Sequence, residues 1–301
     1  TTPVLFLYGF DFLDVGGSAP PGTPDPVLDA ARRLHKPQRG MRGIAWNAAR
    51  GTPLGHTFIM TMAAFGYSVL NLRPLGNGFD ASELQGERLR PQIDSEGGHQ
   101  TAEYLRALYE YSPLNILSMS WYERVVAYSS GEVAMAYGYS LLAPYFELDK
   151  DRSAHGRTGF LPHPAGPNGY PIAPVGGYVL GIPKNIAPER RKAAEKCLSL
   201  FTSAEACKLY MLNGSLVSPR FSVSTDPEVR ALSPIVEAVE GFAYAGLQQY
   251  WPRPPAPEIA DIITICGEEL HDMLRGVRSL NDALSHAQNR ADALMRANGH
   301  Y

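Results

Sequence analysis

Apolar positions along this chain of 301 residues follow two periods, one of two residues or a continuous run, the other of three to four. Thr2 to Tyr8 is a short run with β-branched and aromatic members, the pattern of a buried strand. Thr23-Pro24 reads as a helix start, because a hydroxyl caps free N–H groups and proline tolerates the first helical position. Val27, Leu28, Ala31 and Leu34 follow at helical spacing. Gly43 to Trp46 reads as a strand, Asn47 to Gly55 as a loop, and His56 to Phe65 as an apolar helix ended by Gly66. Residues 74–98 hold no clear period and read as a surface excursion, overlapping the start of a helix over 95–111 with Ala102, Leu105 and Leu108 inward. A further helix covers 121–128, stopped by Ser129-Ser130-Gly131, and 133–139 reads as a strand.

The segment 162–183 carries six prolines and five glycines around a short apolar run at 178–182, the density expected where a chain crosses between lobes. Residues 188–201 are amphipathic, with Ala194, Cys197, Leu198 and Phe201 on one face. Thr202 and Glu205 have capping-box spacing for the next helix, which Gly214 closes. A helix over 234–242 leads into the rigid Trp251-Pro-Arg-Pro-Pro stretch, and helices over 258–275 and 279–295 end the chain, the last capped by Ser279. Strands alternating with helices predict an α/β fold.

Composition narrows the classes of function. Lys plus Arg is 27 against 30 acids, a net charge of −3, which argues against the basic stripe of a nucleic-acid protein and against a polybasic membrane-surface binder. No apolar stretch approaches the length a membrane-spanning helix needs. Cys197, Cys207 and Cys266 have no paired-ligand spacing and read as small apolar residues buried on helices. The chain opens on Thr1 with no leader pattern before it, so it reads as processed or as a fragment.

Motifs that carry chemistry are few. No phosphate-cradling loop or dinucleotide fingerprint is present, and Gly138-Tyr139-Ser140-Leu141-Leu142 lacks the final glycine of a serine-hydrolase elbow. Glu268-Glu269-Leu270-His271 has the Glu-x-x-His spacing of a di-iron helix but no second copy, so it reads as a solvated face. A scattered carboxylate pair for glycoside hydrolysis remains open. Aromatic supply stands out: Trp46, Trp121, Tyr139, Tyr178 and Trp251 fall at element ends or loops near Asn47, His56 and Arg253. Such a set suits a cleft that stacks on a sugar ring and hydrogen-bonds its hydroxyls.

Five phrases, in order, resemble one family. They are Tyr8-x-x-Asp11-Phe12-Leu13 with Pro20-Pro21-x-Thr23; Gly131-Glu132-Val133-Ala134-Met135-Ala136; Gly176-Gly177-Tyr178 with Gly181-Ile182-Pro183; Leu200-Phe201-Thr202-Ser203-x-Glu205-Ala206 with Pro219-Arg220; and Gly276-x-x-Ser279 with Asp282-Ala283-Leu284 and Ala287-Gln288. Together they are similar to the extracellular solute-binding proteins of bacterial ABC importers, in the sugar-binding (type 1) branch. The chain departs at Gly9 and Phe10, where basic residues are usual, and at Pro24, where tryptophan is usual. The resemblance also begins part-way into the family's pattern, leaving the first strands and helices of its N-terminal lobe, roughly a third of a typical member, without a counterpart.

The resemblance implies a periplasmic-binding-protein-like (type II) α/β fold of two hinged lobes, one largely complete and the other partial. Residues 1–175 and 226–301 would form the C-terminal-type lobe, and 176–225 a segment of the N-terminal-type lobe. It implies a periplasmic or extracellular receptor that closes on a sugar or polyol and passes it to ABC permease subunits, with no cofactor, no metal, no nucleic acid and no catalysis. By position, the ligand-facing residues would be Asn47, His56, Trp121, Tyr139, Gly177, Tyr178, Arg220, Trp251 and Arg253. Trp121 and Tyr139 would be stacking platforms, Arg220 and Arg253 fork-shaped donors. A missing lobe would leave apolar surface open to self-association. A carbohydrate-active hydrolase and a truncated remnant that binds nothing are the competing readings.

Overall fold

The computed structural model describes residues 2–10, 20–177 and 179–301. The Asp11-Phe12-Leu13 phrase and Tyr178 therefore lie outside the described residues. The architecture is a mixed α/β sheet with helices against it. Strand β1 (Thr2–Gly9) is buried from Pro3 onward at consecutive positions, so both of its faces are covered, as its unbroken apolar run predicts.

Beside it lies β5 (Val133–Tyr139), antiparallel, with Leu5 opposite Gly138 and Leu7 opposite Ala136. Strand β2 (Arg42–Ala45) runs parallel to β5 on the far side. The other edge of β1 is shared by β6 (Thr158–Leu161) and β7 (Ala173–Gly176), and β7 carries the two-residue β8 (Gln248–Gln249). Because β5 and β7 both oppose β1, the strands β2, β5 and β7 end at the same edge of the sheet.

The helices that matter for this edge are α1 (Pro24–Leu34), α2 (Thr52–Ala64), α3 (Glu96–Tyr109) and α4 (Trp121–Ser129). Near the chain's end follow α11 (Ile259–Leu274) and α12 (Leu280–Ala297). Between them run the short α5 (Pro144–Glu147) and the group α6 (Pro188–Phe201), α7 (Ala204–Leu212), α8 (Phe221–Ser224), α9 (Pro227–Arg230) and α10 (Pro234–Tyr244). Two glycines set the closest contact. A Cβ on Gly55 would lie 1.8 Å from the Ile263 carbonyl oxygen, and one on Gly267 1.8 Å from that of Gly51. Helices α2 and α11 thus meet backbone to backbone, and this contact fixes the first turns of α2 beside the sheet edge.

Several expectations are corrected. Helix α2 starts at Thr52, not at His56, because Gly51 at φ 81° turns the chain and Pro53 sits in the first turn, where its missing N–H costs nothing. Thr23 does precede α1, but its side chain makes no capping hydrogen bond. The cap of α7 is Ser203, whose hydroxyl accepts from the Ala206 N–H, rather than Thr202. The 74–98 excursion holds a small hairpin, β3 (Arg73–Leu75) with β4 (Gly78–Asp80). Cys207 and Cys266 are buried but Cys197 is exposed. Helix α6 buries none of its residues, so the face of Ala194, Cys197, Leu198 and Phe201 is only partly covered by the described residues, with Cys197 and Phe201 exposed. Glu269 and His271 are buried rather than solvated, with Glu269 paired to Arg278 and Arg290. Among the described residues no His, Cys, Asp or Glu cluster could hold a metal ion, and no helix is long and apolar enough to cross a membrane.

Candidate functional site

At the edge where β2, β5 and β7 end, a cleft of about 360 Å³ opens, the size of a small-solute site. The carboxyl ends of strands are where open α/β sheets bind ligands, since the backbone there fans out into loops. Of the nine residues expected at a site, the cleft brings together six: Asn47, His56, Trp121, Tyr139, Gly177 and Arg253. It adds Val4, Thr57, Met60, Arg124, Tyr137, His163 and Gly176. No Asp or Glu lines it among the described residues.

Two expected residues lie elsewhere. Trp251 is 5 % exposed and packs on Phe79 with ring centroids 4.8 Å apart, so it is part of the core and not a platform. Arg220 uses its Nε to donate to the Thr202 carbonyl at 2.5 Å, tying the end of α6 to the start of α8. Trp46 is also absent from the cleft, being fully buried with Nε1 donating to Ser112 Oγ at 2.9 Å. A glycine- or proline-rich setting marked these aromatics as loop residues, but position in a loop does not decide which way a ring points.

The side chains present are held from behind. Asn47 follows β2 directly, and its carbonyl accepts from Thr57 Oγ1 at 2.8 Å, pinning the loop to α2. Trp121 is the first residue of α4, whose start is fixed by the Ser120 N–H donating to the Glu123 carboxylate at 2.9 Å. Its ring meets His56 edge-on, with centroids 6.0 Å apart. Arg124 lies one turn further along the same face of α4. Tyr137 and Tyr139 are two apart on β5 and so share a face. The Tyr139 hydroxyl is 2.9 Å from Thr2 Oγ1, which donates to the Gly176 carbonyl at 2.8 Å. A Cβ at Gly176 would fall 2.3 Å from that hydroxyl, so glycine is what lets Tyr139 reach β1 and β7 together.

The electrostatics are lopsided. His56 Nδ1 lies 2.9 Å from the Thr52 carbonyl, an acceptor only, so Nδ1 carries the proton and Nε2 presents a lone pair. Burial lowers the His56 pKa, the Thr52 contact works against it, and the Arg253 charge lowers it further, which keeps the ring neutral near pH 7. His163, 3 % exposed, is drawn down to about 3, by burial first and by the charge of Arg124 second. Arg124 is 2 % exposed, and burial alone draws its guanidinium down to about 9.

Among the described residues the Arg124 side chain makes no hydrogen bond or ion pair, and its Nε is fully enclosed. Both ring nitrogens of His163 and Oδ1 of Asn47 are likewise buried without a partner. Buried polar groups are almost always paired, and three residues with orphaned atoms around one cavity concentrate unused bonding capacity there. Arg124, Tyr137 and His163 were missed from the sequence. For the first two a signal existed: Arg124 is three residues past Trp121 on a helix, and Tyr137 two before Tyr139 on a strand. His163 had none, sitting in proline-rich chain where only the bridge to Ile172 places it.

The sequence profile of the bacterial extracellular solute-binding proteins matches residues 7–207. The chain belongs to this family. A curated member, a probable amino-acid ABC transporter periplasmic-binding protein of Sinorhizobium fredii, is 24 % identical over 98 % of the chain, which spans 63 % of that protein's length. The fold is that of periplasmic binding proteins. The ribitol complex of an ABC transporter solute-binding protein from Agrobacterium radiobacter superposes with a TM-score of 0.85 at 22 % identity, covering 97 % of this chain and 69 % of that one. A D-mannitol-bound protein from Agrobacterium vitis gives 0.78 at 18 % identity, covering 99 % and 72 %. The maltose-bound protein of T. maritima gives 0.81 at 22 %, covering 97 % and 71 %.

Proposed function

We propose that this chain is the greater part of a receptor that binds a polyhydroxylated solute, a sugar or polyol, and hands it to the permease of an ABC importer. The observation that carries the reading is the cleft itself. Aromatic surfaces from Trp121 and Tyr139 stand beside buried, unpartnered polar atoms of Asn47, Arg124 and His163. Aromatic faces suit the C–H face of a sugar, and the orphaned donors and acceptors suit its hydroxyls. Ribitol, D-mannitol and maltose in the similar structures agree with that chemistry.

The lobes are assigned as the family pattern suggests, with 1–175 and 226–301 in one and 176–225 contributed to the other. Val179, Leu180, Leu200, Phe201, Leu209 and Tyr210 all expose apolar surface in or beside that crossing segment, which supports this division. The same surface supports self-association of this chain, and a strictly monomeric light-scattering profile at high concentration would count against it. The receptor works outside the cytoplasmic membrane and does no covalent chemistry. Glycoside hydrolysis needs two carboxyl groups across the scissile bond, and the described lining of the cleft offers none.

A thermal-shift panel of sugars, polyols, sugar acids and amino acids tests the function. A solute at a hundred times its dissociation constant adds about 2.7 kcal/mol of stability, a rise of a few degrees. A full-length protein that no member of the panel stabilises, and that turns over a glycoside instead, would replace the receptor by the enzyme.

A further inference from the structure

Arg124 narrows the solute further, on the receptor reading just given. The cleft's charged groups, among the described residues, are Arg124 and Arg253, while His56 and His163 are neutral. Arg253 stands exposed at the rim, where water solvates it. Arg124 is 2 % exposed and open only toward the cleft, and no described carboxylate pairs with it. A neutral polyol answers this poorly. Its hydroxyl oxygens accept, but it brings no charge to a desolvated cation. A carboxylate accepts through both oxygens and matches the planar fork of a guanidinium.

We infer that the solute is a sugar acid, a polyhydroxylated carboxylate whose carboxylate meets Arg124 while its hydroxyls meet Asn47, His56 and His163. The carbon skeleton then lies against Trp121 and Tyr139. Acceptors for the hydroxyl protons are at hand in Asn47 Oδ1, His56 Nε2 and an unprotonated nitrogen of His163. An amino acid shares the carboxylate but carries an ammonium, which would enter a cleft holding two guanidinium groups and no described carboxylate, so like-charge repulsion opposes it.

The test uses matched pairs on the full-length protein by titration calorimetry: D-gluconate against D-glucitol, D-ribonate against ribitol, and D-galacturonate against D-galactose, with L-alanine as a fourth probe. The expected result is that at least one acid binds about 10- to 100-fold tighter than its neutral partner, the range of one charge-assisted contact. Arg124→Gln should shrink that preference to within a few-fold, weakening the acid far more than its neutral partner, and Arg124→Lys should keep part of it. A neutral partner that binds as tightly as its acid, an acid preference that survives Arg124→Gln, or alanine binding better than every sugar acid overturns the proposal. The first two of these leave the sugar or polyol receptor standing. Binding of no polyhydroxylated probe at all overturns both readings together.

Discussion

Replacing Arg124 by Met should make the empty protein more stable, the reverse of what most substitutions of buried residues do. The guanidinium falls well below its ordinary value, to about 9, in the folded chain because burial strips its water. At about 1.4 kcal/mol per pH unit, that difference costs the ligand-free fold on the order of 5 kcal/mol. The sign follows from a basic group whose folded value is depressed. The cost is complete below about pH 9, where folded and unfolded chains are both protonated, and is relieved only as pH rises above that value.

Relaxation and water penetration reduce such penalties, and replacing buried ions by apolar side chains of similar volume gains about 1–4 kcal/mol in practice. Methionine is long and unbranched enough to fill the space of the arginine stem. For a chain of this size, that gain corresponds to a midpoint roughly 2–6 °C higher. The assay is calorimetric or urea unfolding at pH 7, without solute and then at saturating solute. Wild type should gain from the solute, and Arg124→Met should gain much less. A variant that is less stable than wild type when empty would refute the reasoning, because it would mean that Arg124 already has a partner in the folded protein.

Three further outcomes follow from the same geometry. Trp121→Ala should weaken solute binding by more than about 1 kcal/mol with a two-state unfolding curve retained, and unchanged affinity would remove Trp121 from the site. Gly55→Ala should destabilise by about 1–3 kcal/mol in urea, since its Cβ would press on the Ile263 carbonyl where α2 and α11 meet, and a neutral effect would show that the two helices can separate at no cost. His163, held neutral down to about pH 3 when folded, leaves the unfolded chain binding one more proton below about pH 6.5. Stability should therefore fall by roughly 1.4 kcal/mol per pH unit between those values on account of this residue. A His163→Asn variant should show an acid limb flatter by one proton, and an unaltered limb would mean that His163 already carries its proton in the fold.

Local patterns made much of the fold legible. The run at β1, the strand at β5, the apolar spacing of α1 and α3 and the cap at Ser279 all announce themselves, because each is decided by neighbours within a turn or a strand. The misreadings were also local in appearance and nonlocal in cause. Gly51 and Pro53 look like loop punctuation and are the opening of α2, because α11 packs on that turn through Gly55 and Gly267.

The site divides in the same way. Its chemistry was partly readable, since aromatics near element ends and five ordered phrases pointed to a solute-binding cleft, and six of the nine expected residues line it. Trp251 and Arg220 do not, and nothing in their sequence neighbourhood could have said so. Trp251 turns inward because Phe79, some 170 residues earlier, offers it a face, and Arg220 because the Thr202 carbonyl lies within reach. Composition and pattern determine which side chains are available and which segments become helix or strand. Only tertiary packing decides which side chains share a cavity, and only enclosure turns Arg124 from an ordinary surface cation into a desolvated charge awaiting an acceptor. Burial and pairing depend on residues far apart in sequence, and the energy of a charged or polar group depends on both.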